Sequence, residues 1–313
     1  KIAFSTNMFL DWKTYKPTYG GGERYLNNLL DIFKELNSHI TIYQLGYENK
    51  TIIINNTLTI EIINNFSNQY KEFNIGFSEY VNNQCEKLKY DLIIYFMPEM
   101  CCSDNIYKKS ILINHGIWFD RYYKNIEYYK YLKLQLDKCS KIICVDTNYI
   151  NFIRTYWGYN TYNNLIYIPN FINDEFFYIK HLNTKKLNIL IPRRANIYRG
   201  SKIINYLLNN LIYDVNITWC GSGDDDDELI NFSKNDRRFK FIKADFDNMV
   251  NLYKQTDIVI IPTLASEGTS LSCIEAMGSS NIVISTNVGG LPNLIIDNYN
   301  GFLCNNTQED ITD

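Results

Sequence analysis

A chain of 313 residues, 46% of them hydrophobic, is long enough for two domains and has ample material for buried cores. Its net charge of -3 supplies no basic footprint, which disfavours nucleic acid as a main partner, so any anion it binds must be met by local donors. No apolar run approaches the ~20 residues of a membrane span, Lys1-Ile-Ala-Phe-Ser5 is too short and polar-flanked for a signal peptide, and the cysteines lack metal-ligand spacing; reduced, buried thiols of a cytoplasmic protein are expected.

Strand-like apolar runs alternate with longer periodic segments throughout, the pattern of an α/β fold with parallel sheets and helical crossovers. Residues 2–5 form the first expected strand. Gly20, Gly21 and Gly22 then open a segment with Leu26, Leu29, Leu30, Phe33 and Leu36 at helical spacing, and glycines between a strand and an amphipathic helix fit close backbone approach to a ligand. Residues 39–47 and 51–63 read as strands joined by a hairpin through Glu48-Asn49-Lys50, and residues 91–97 and 111–114 as buried strands. His115 follows the last of these and precedes Gly116, the position from which α/β sites present side chains; a purely structural histidine fits equally well. The aromatic and cationic stretch 118–131 reads as a packed helix, with a platform for a ligand or a peripheral contact to a membrane as the functional alternative.

Apolar runs at 142–145 and 165–168 complete a first domain expected over residues 1–180, with a linker near 178–186 and a second domain over 181–313. The second opens with a strand at 187–191, then Pro192-Arg193-Arg194 and Arg199-Gly200 before an apolar-periodic helix. Arginines at a strand end beside a helix start suit phosphate, since they offer planar multidentate donors and permanent charge. Gly221 and Gly223 lead into the acidic run 224–228, for which an Asp-x-Asp metal site competes with acids favoured by a helix dipole; the second reading, without a metal, is preferred. The run 257–261 reads as a buried parallel strand whose following loop carries Glu267, Gly268, Thr269, Ser270 and Leu271, the place where an open α/β sheet binds its ligand. The small residues there allow backbone N–H groups to approach an anion such as a phosphate at a helix N-terminus. Ser272-Cys-Ile-Glu275 also has capping-box spacing with Ser272 as N-cap, so capping alone accounts for Glu275 and a surface loop for Glu267.

Glu267 and Glu275 bracket seven residues, and Glu267-Gly-Thr-Ser-Leu271 followed by Glu275-Ala-Met277 resembles the E-x7-E signature of retaining GT-B glycosyltransferases of family 4, the glycosyl transferases group 1. The resemblance continues through residues 282–302, with the Gly289-Gly290-Leu-Pro turn and the Asn-Gly-Phe ending; Asn293 stands where the family usually has Glu. Elsewhere Gly21-Gly22-Glu23 resembles the family's N-terminal glycine loop, His115 its strand-end histidine, Pro169-Asn170 its Pro-Asn block and Gly221-Ser-Gly223 its Gly-x-Gly turn. Arg194 and Arg199 match the Arg and Lys of its Gly-Arg…Lys-Gly motif, with Arg in the place of Lys. This covers nearly all of the chain. It implies a GT-B fold of two Rossmann-like domains with parallel sheets facing a cleft. It also implies transfer of a sugar from a nucleotide-diphosphate donor to a hydroxyl of a sugar, glycan or glycolipid acceptor, with retention and without a metal or cofactor.

By the same resemblance Glu267 holds the donor sugar, Glu275 the ribose hydroxyls, and Arg194, Arg199 and the N–H groups from Gly268 to Leu271 the diphosphate. Gly21 and Gly22 face the donor phosphates and acceptor, and His115 the donor sugar or acceptor. A sugar-nucleotide epimerase and a non-catalytic sugar-nucleotide-binding subunit share the pattern. Family members continue with further helices, so a second domain truncated at its C-terminus is expected.

Overall fold

The structure is a computed structural model that describes all residues except 19–20, 65–74, 104, 117–133, 135, 157–163, 180–185, 244–247, 266, 308–309 and 312–313. The aromatic stretch 118–131, Gly20 and most of the expected linker lie outside the described residues. The chain forms two compact units, one from Lys1 to Ile168 apart from a short stretch after His115, the other from Pro169 to Asp313.

In the first unit, eight described strands form one sheet: β1 Ile2–Thr6, β2 Ile40–Gly46, β3 Lys50–Asn55, β4 Leu58–Asn64, β5 Leu92–Tyr95, β6 Ser110–Asn114, β7 Lys141–Cys144 and β8 Leu165–Tyr167. Their order is β3-β4-β2-β1-β5-β6-β7-β8, and every described pairing is parallel except β3 with β4. The crossover helices are α1 Gly21–Glu35, α2 Ile75–Leu88 and α3 Asn148–Tyr156. Along α1 the periodic residues Leu26, Leu29, Leu30 and Phe33 pack on the core of β1, β2 and β4, as their spacing requires. The expected hairpin through Glu48-Asn49-Lys50 is corrected: β2 runs parallel to β4, with Ile40 opposite Leu58, and the antiparallel turn lies between β3 and β4. Asn55 makes that turn, its Oδ1 accepting from Thr57 N at 2.8 Å and Leu58 N at 2.9 Å.

The second unit has six described strands, β9 Asn188–Ile191, β10 Asn216–Cys220, β11 Phe239–Ile242, β12 Ile258–Ile261, β13 Ile282–Thr286 and β14 Phe302–Cys304, all parallel in the order β11-β10-β9-β12-β13-β14. Helices α4 Ile203–Asn210, α5 Asp226–Asn235, α6 Met249–Lys254 and α7 Leu271–Gly278 connect them. Successive residues of one strand feed opposite cores: Ile189 and Ile191 join Ile204, Leu207 and Trp219, whereas Leu190 joins Tyr253, Cys273 and Ala276. A sheet covered on both faces is why the central strands β9 and β12 are apolar at almost every position.

The division after Ile168 falls upstream of the boundary at 180 expected from the sequence. Phe176 is fully buried in the second core, Tyr178 N donates to Gly278 O at 3.1 Å and Ser279 Oγ to Phe176 O at 2.9 Å, which ties residues 170–178 to the end of α7. Seven cysteines are buried and Cys304 half-buried, all as free thiols.

Candidate active site

Strand order in the second sheet reverses between β9 and β12: the chain leaves β9 toward β10 and β11, then returns to build β12, β13 and β14 on the other side. Such a switch point leaves a crevice at the carboxyl ends of the two strands. The residues leaving β9 are Pro192, Arg193 and Arg194, and those leaving β12 lead to Thr263 and Glu267.

Two cations and one carboxylate meet there. Arg193 Nη2 is bonded to Glu267 Oε2, and Arg199 Nη1 donates to the same oxygen at 2.5 Å. Arg193 Nη2 also donates to Thr263 Oγ1 at 2.7 Å and its Nη1 reaches Ser270 Oγ at 3.5 Å, while Thr263 Oγ1 donates to Glu267 at 3.2 Å. The Glu267 side chain is 10% exposed. Burial alone would raise its carboxyl, but the Arg193 and Arg199 guanidinium groups outweigh this and hold it below the usual carboxylate range.

Glycines set the backbone around this cluster. A Cβ on Gly289, whose φ is +60°, would lie 2.2 Å from Glu267 O, and Gly290 N donates to that same carbonyl at 2.8 Å. The Gly-Gly turn after β13 thus pins the backbone of Glu267. Gly221, with φ +143°, would bring a Cβ within 2.2 Å of Arg193 O, and a Cβ on Gly223 would lie 2.4 Å from Ala195 O. The Gly-x-Gly turn presses directly on the arginine loop.

Several sequence expectations change. Arg193 reaches Glu267, while Arg194, matched by resemblance to the diphosphate, is exposed. The capping box is absent: α7 starts after Ser270, Ser272 Oγ donates to Pro192 O at 3.1 Å, and Glu275, only 2% exposed, accepts from Tyr253 Oη at 2.9 Å. Thr269 and Ser270 are buried, Gly268 and Leu271 half-buried, and Asn170 Nδ2 braces their loop by donating to Thr269 O at 2.8 Å. In the acidic run, Asp226 accepts from Gly223 N at 2.7 Å and pairs with Lys243 at 2.9 Å, while Asp225 and Glu228 pair with Lys202. Among the described residues no group of three or more His, Cys, Asp or Glu is placed to hold a metal. Thr263 is the residue of the cluster that sequence reasoning passed over, and neither Arg193 nor Gly289 was tied to Glu267.

In the first unit the order reverses between β1 and β5, and the residues beyond the strand ends again gather. The His115 ring lies edge-on to Tyr25, centroids 5.3 Å apart, and 4.6 Å from Phe96. A Cβ on Gly22 would come within 3.4 Å of the Phe96 ring, whereas Gly21 is exposed at the start of α1. The glycine segment and His115 are therefore neighbours. His115 Nε2 is shut off from solvent and has no hydrogen-bond partner among the described residues, and burial pushes its pKa from 6.5 down to about 4.

A folded pKa below the unfolded one means that the unfolded chain takes up a proton the folded chain refuses. Stability linked to His115 is thus present above pH 6.5 and lost as pH falls toward 4. His115→Gln is expected to flatten this dependence, by on the order of 3 kcal/mol between those limits. Urea melts of both proteins across that range measure it; parallel curves would show that His115 is not the group responsible.

Residues 196–313 match the family model described as glycosyl transferases group 1. The match covers most of the second unit. Over 304 residues the chain is 28% identical to an uncharacterized glycosyltransferase of Methanocaldococcus jannaschii, covering 92% of this chain and 81% of that relative. Sucrose-phosphate synthase from Thermosynechococcus elongatus superposes with a TM-score of 0.80 at 15% identity, over 99% of this chain and 87% of that one. Anabaena HepE, crystallised with UDP, gives a TM-score of 0.75 at 14% identity, over 100% and 88%. These likenesses show the fold, which is GT-B. Of the cluster, Arg199 and Glu267 lie within the matched region and Arg193 just before it, spanning the loops of β9 and β12.

Proposed function

We propose that this chain is a retaining glycosyltransferase that moves a sugar from a nucleotide-diphosphate donor to a hydroxyl acceptor without a metal. The observation that carries the reading is the meeting of Arg193, Arg199 and Glu267 at the β9–β12 switch point, beside the loop that enters α7. One carboxylate between two guanidinium groups leaves a net positive charge there. Breaking the anomeric bond develops negative charge on the diphosphate and oxocarbenium character on the sugar, so donors already in place stabilise the transition state more than the ground state. Arg199 and the N–H groups of Gly268 to Leu271 serve the diphosphate, with Arg194 as an outer cation. Glu267 serves the sugar, and Glu275, in α7 just after the same loop, the ribose hydroxyls. Gly21, Gly22 and His115 are the acceptor-side groups of the first unit. His115, neutral near pH 7, is suited to hydrogen-bonding a hydroxyl rather than to carrying charge.

The complex of HepE with UDP makes uridine the first base to test. Incubation with uridine-diphosphate and guanosine-diphosphate sugars, with and without EDTA, is expected to give transfer or slow donor hydrolysis that EDTA does not change. The anomeric configuration of the product is expected to equal that of the donor, as read by proton NMR. Activity lost on chelation would overturn metal independence, an inverted product would overturn retention, and interconversion of the donor without transfer would identify an epimerase.

A further inference from the structure

We infer that Arg193 is a positioning residue for Glu267, and that the two arginines on that carboxylate divide the work: Arg193 fixes it, and Arg199 turns to the diphosphate. This rests on the transferase reading above. The two side chains differ in how firmly they are held. Arg193 is 8% exposed and is anchored through Thr263 Oγ1, Ser270 Oγ and Glu267. Its backbone is trapped as well, its carbonyl accepting from Trp219 Nε1 at 2.9 Å and lying 2.2 Å from where a Cβ on Gly221 would stand. A guanidinium so confined cannot follow a ligand, but its planar fork, with Nη1 on Ser270 and Nη2 on Thr263, gives Glu267 Oε2 a donor in a fixed place. The Arg199 side chain is 30% exposed, against 7% for that of Arg193, at the end of a single 3-10 turn, Ile197–Arg199.

The groups facing Glu267 come from four elements: Arg193 after β9, Arg199 before α4, Thr263 after β12, and Cys273 of α7. Cys273 is buried and its thiol is pushed up to about 12, so it carries no charge near neutrality. The two arginines are therefore the cations that keep Glu267 ionised. Fixing the acid also prevents its carboxylate from following Arg199 when that side chain swings toward phosphate.

The test compares wild type with Arg193→Met, Arg193→Lys, Arg199→Ala, Glu267→Gln and the double variant Glu267→Gln/Arg193→Met. The readouts are donor turnover, calorimetric affinity for uridine diphosphate, and the titration of the Glu267 carboxyl followed by carbon-13 NMR. If Arg193 acts through Glu267, Arg193→Met raises the pH at which that carboxyl titrates and lowers turnover by about tenfold or more, yet lowers turnover by less than about threefold when Glu267 is already Gln. Arg193→Lys keeps the charge without the fork, so the carboxyl stays low while turnover falls partway; it supplies the same comparison should Arg193→Met not fold. Diphosphate affinity changes by less than about threefold in Arg193→Met but by about ten- to a hundredfold in Arg199→Ala. An unmoved Glu267 titration, an equal turnover loss in the Glu267→Gln background, or a diphosphate loss equal to that of Arg199→Ala would each overturn the assignment. The carboxyl titration needs no substrate. A wild-type protein that turns over no nucleotide sugar sinks the transferase reading, while the titration still reports on Arg193 and Glu267.

Discussion

Glu267→Gln is expected to lower turnover by ~10² or more while leaving affinity for the nucleoside diphosphate undiminished. The reason lies in what the carboxylate touches. Arg193 and Arg199 both bond to Oε2, and Gly290 fixes the backbone, so the residue is held in one pose by contacts that survive without a ligand. An acid so placed contributes most where positive character appears on the sugar, which happens in the transition state. Removing its charge also leaves the two guanidinium groups less cancelled, so attraction for diphosphate holds or strengthens. A buried acid that is only structural predicts otherwise. Loss of one partner in a buried ion cluster costs roughly 3 to 5 kcal/mol of stability, and turnover would then follow the folded fraction. Thermal melts, calorimetry with uridine diphosphate and steady-state turnover on the same preparation separate the two. Affinity falling in parallel with turnover would remove Glu267 from a transition-state role.

The position of Glu267 was legible in the sequence because a short apolar strand followed by a loop of small residues has few readings in an α/β pattern. Its arginine partner was not. Arg193 and Arg194 are adjacent, and which of them points into the crevice depends on the phase of β9. That strand is apolar at successive positions because both faces are covered, so no alternation betrays its phase. The family motif matches Arg194, five residues before Arg199, for the diphosphate, and says nothing of which arginine meets Glu267. The capping box failed for a related reason. Thr269, Ser270 and Ser272 all carry a hydroxyl suited to an N-cap, and only the packing that turns Ser272 toward Pro192 O and Glu275 toward Tyr253 decides where α7 begins. The glycines at 221 and 289 were legible as turns, but not as the contacts that seat Arg193 and Glu267. Those contacts join residues far apart in the chain, and no local pattern encodes them.

Arg199→Ala is expected to weaken uridine diphosphate binding by about ten- to a hundredfold, the equivalent of roughly 1.5 to 3 kcal/mol for a charge-assisted hydrogen bond. Affinity for the bare nucleoside should barely move, because the guanidinium is proposed to meet the phosphates and not the base or ribose. Its setting favours this role. The turn bearing it is closed by Asn196, whose side chain accepts from Arg199 N, and by Gly200, whose φ of +82° and close approach to Pro262 O admit no side chain. Leu264 N donates to Tyr198 O at 2.9 Å, which joins that turn to the loop carrying Glu267. The backbone is fixed while the long side chain keeps a half-exposed end, as a ligand-facing cation requires. Arg194 lies in solvent, so its replacement by Ala is expected to cost only on the order of threefold. Calorimetric titrations of uridine diphosphate and uridine into wild type, Arg199→Ala and Arg194→Ala, in EDTA and in Mn²⁺, measure each effect. Unchanged diphosphate affinity in Arg199→Ala would remove that residue from the phosphate site. A larger loss in Arg194→Ala would return the role to the arginine that the family motif selects. Binding that collapses in EDTA would mean that a cation, and not these guanidinium groups, neutralises the diphosphate.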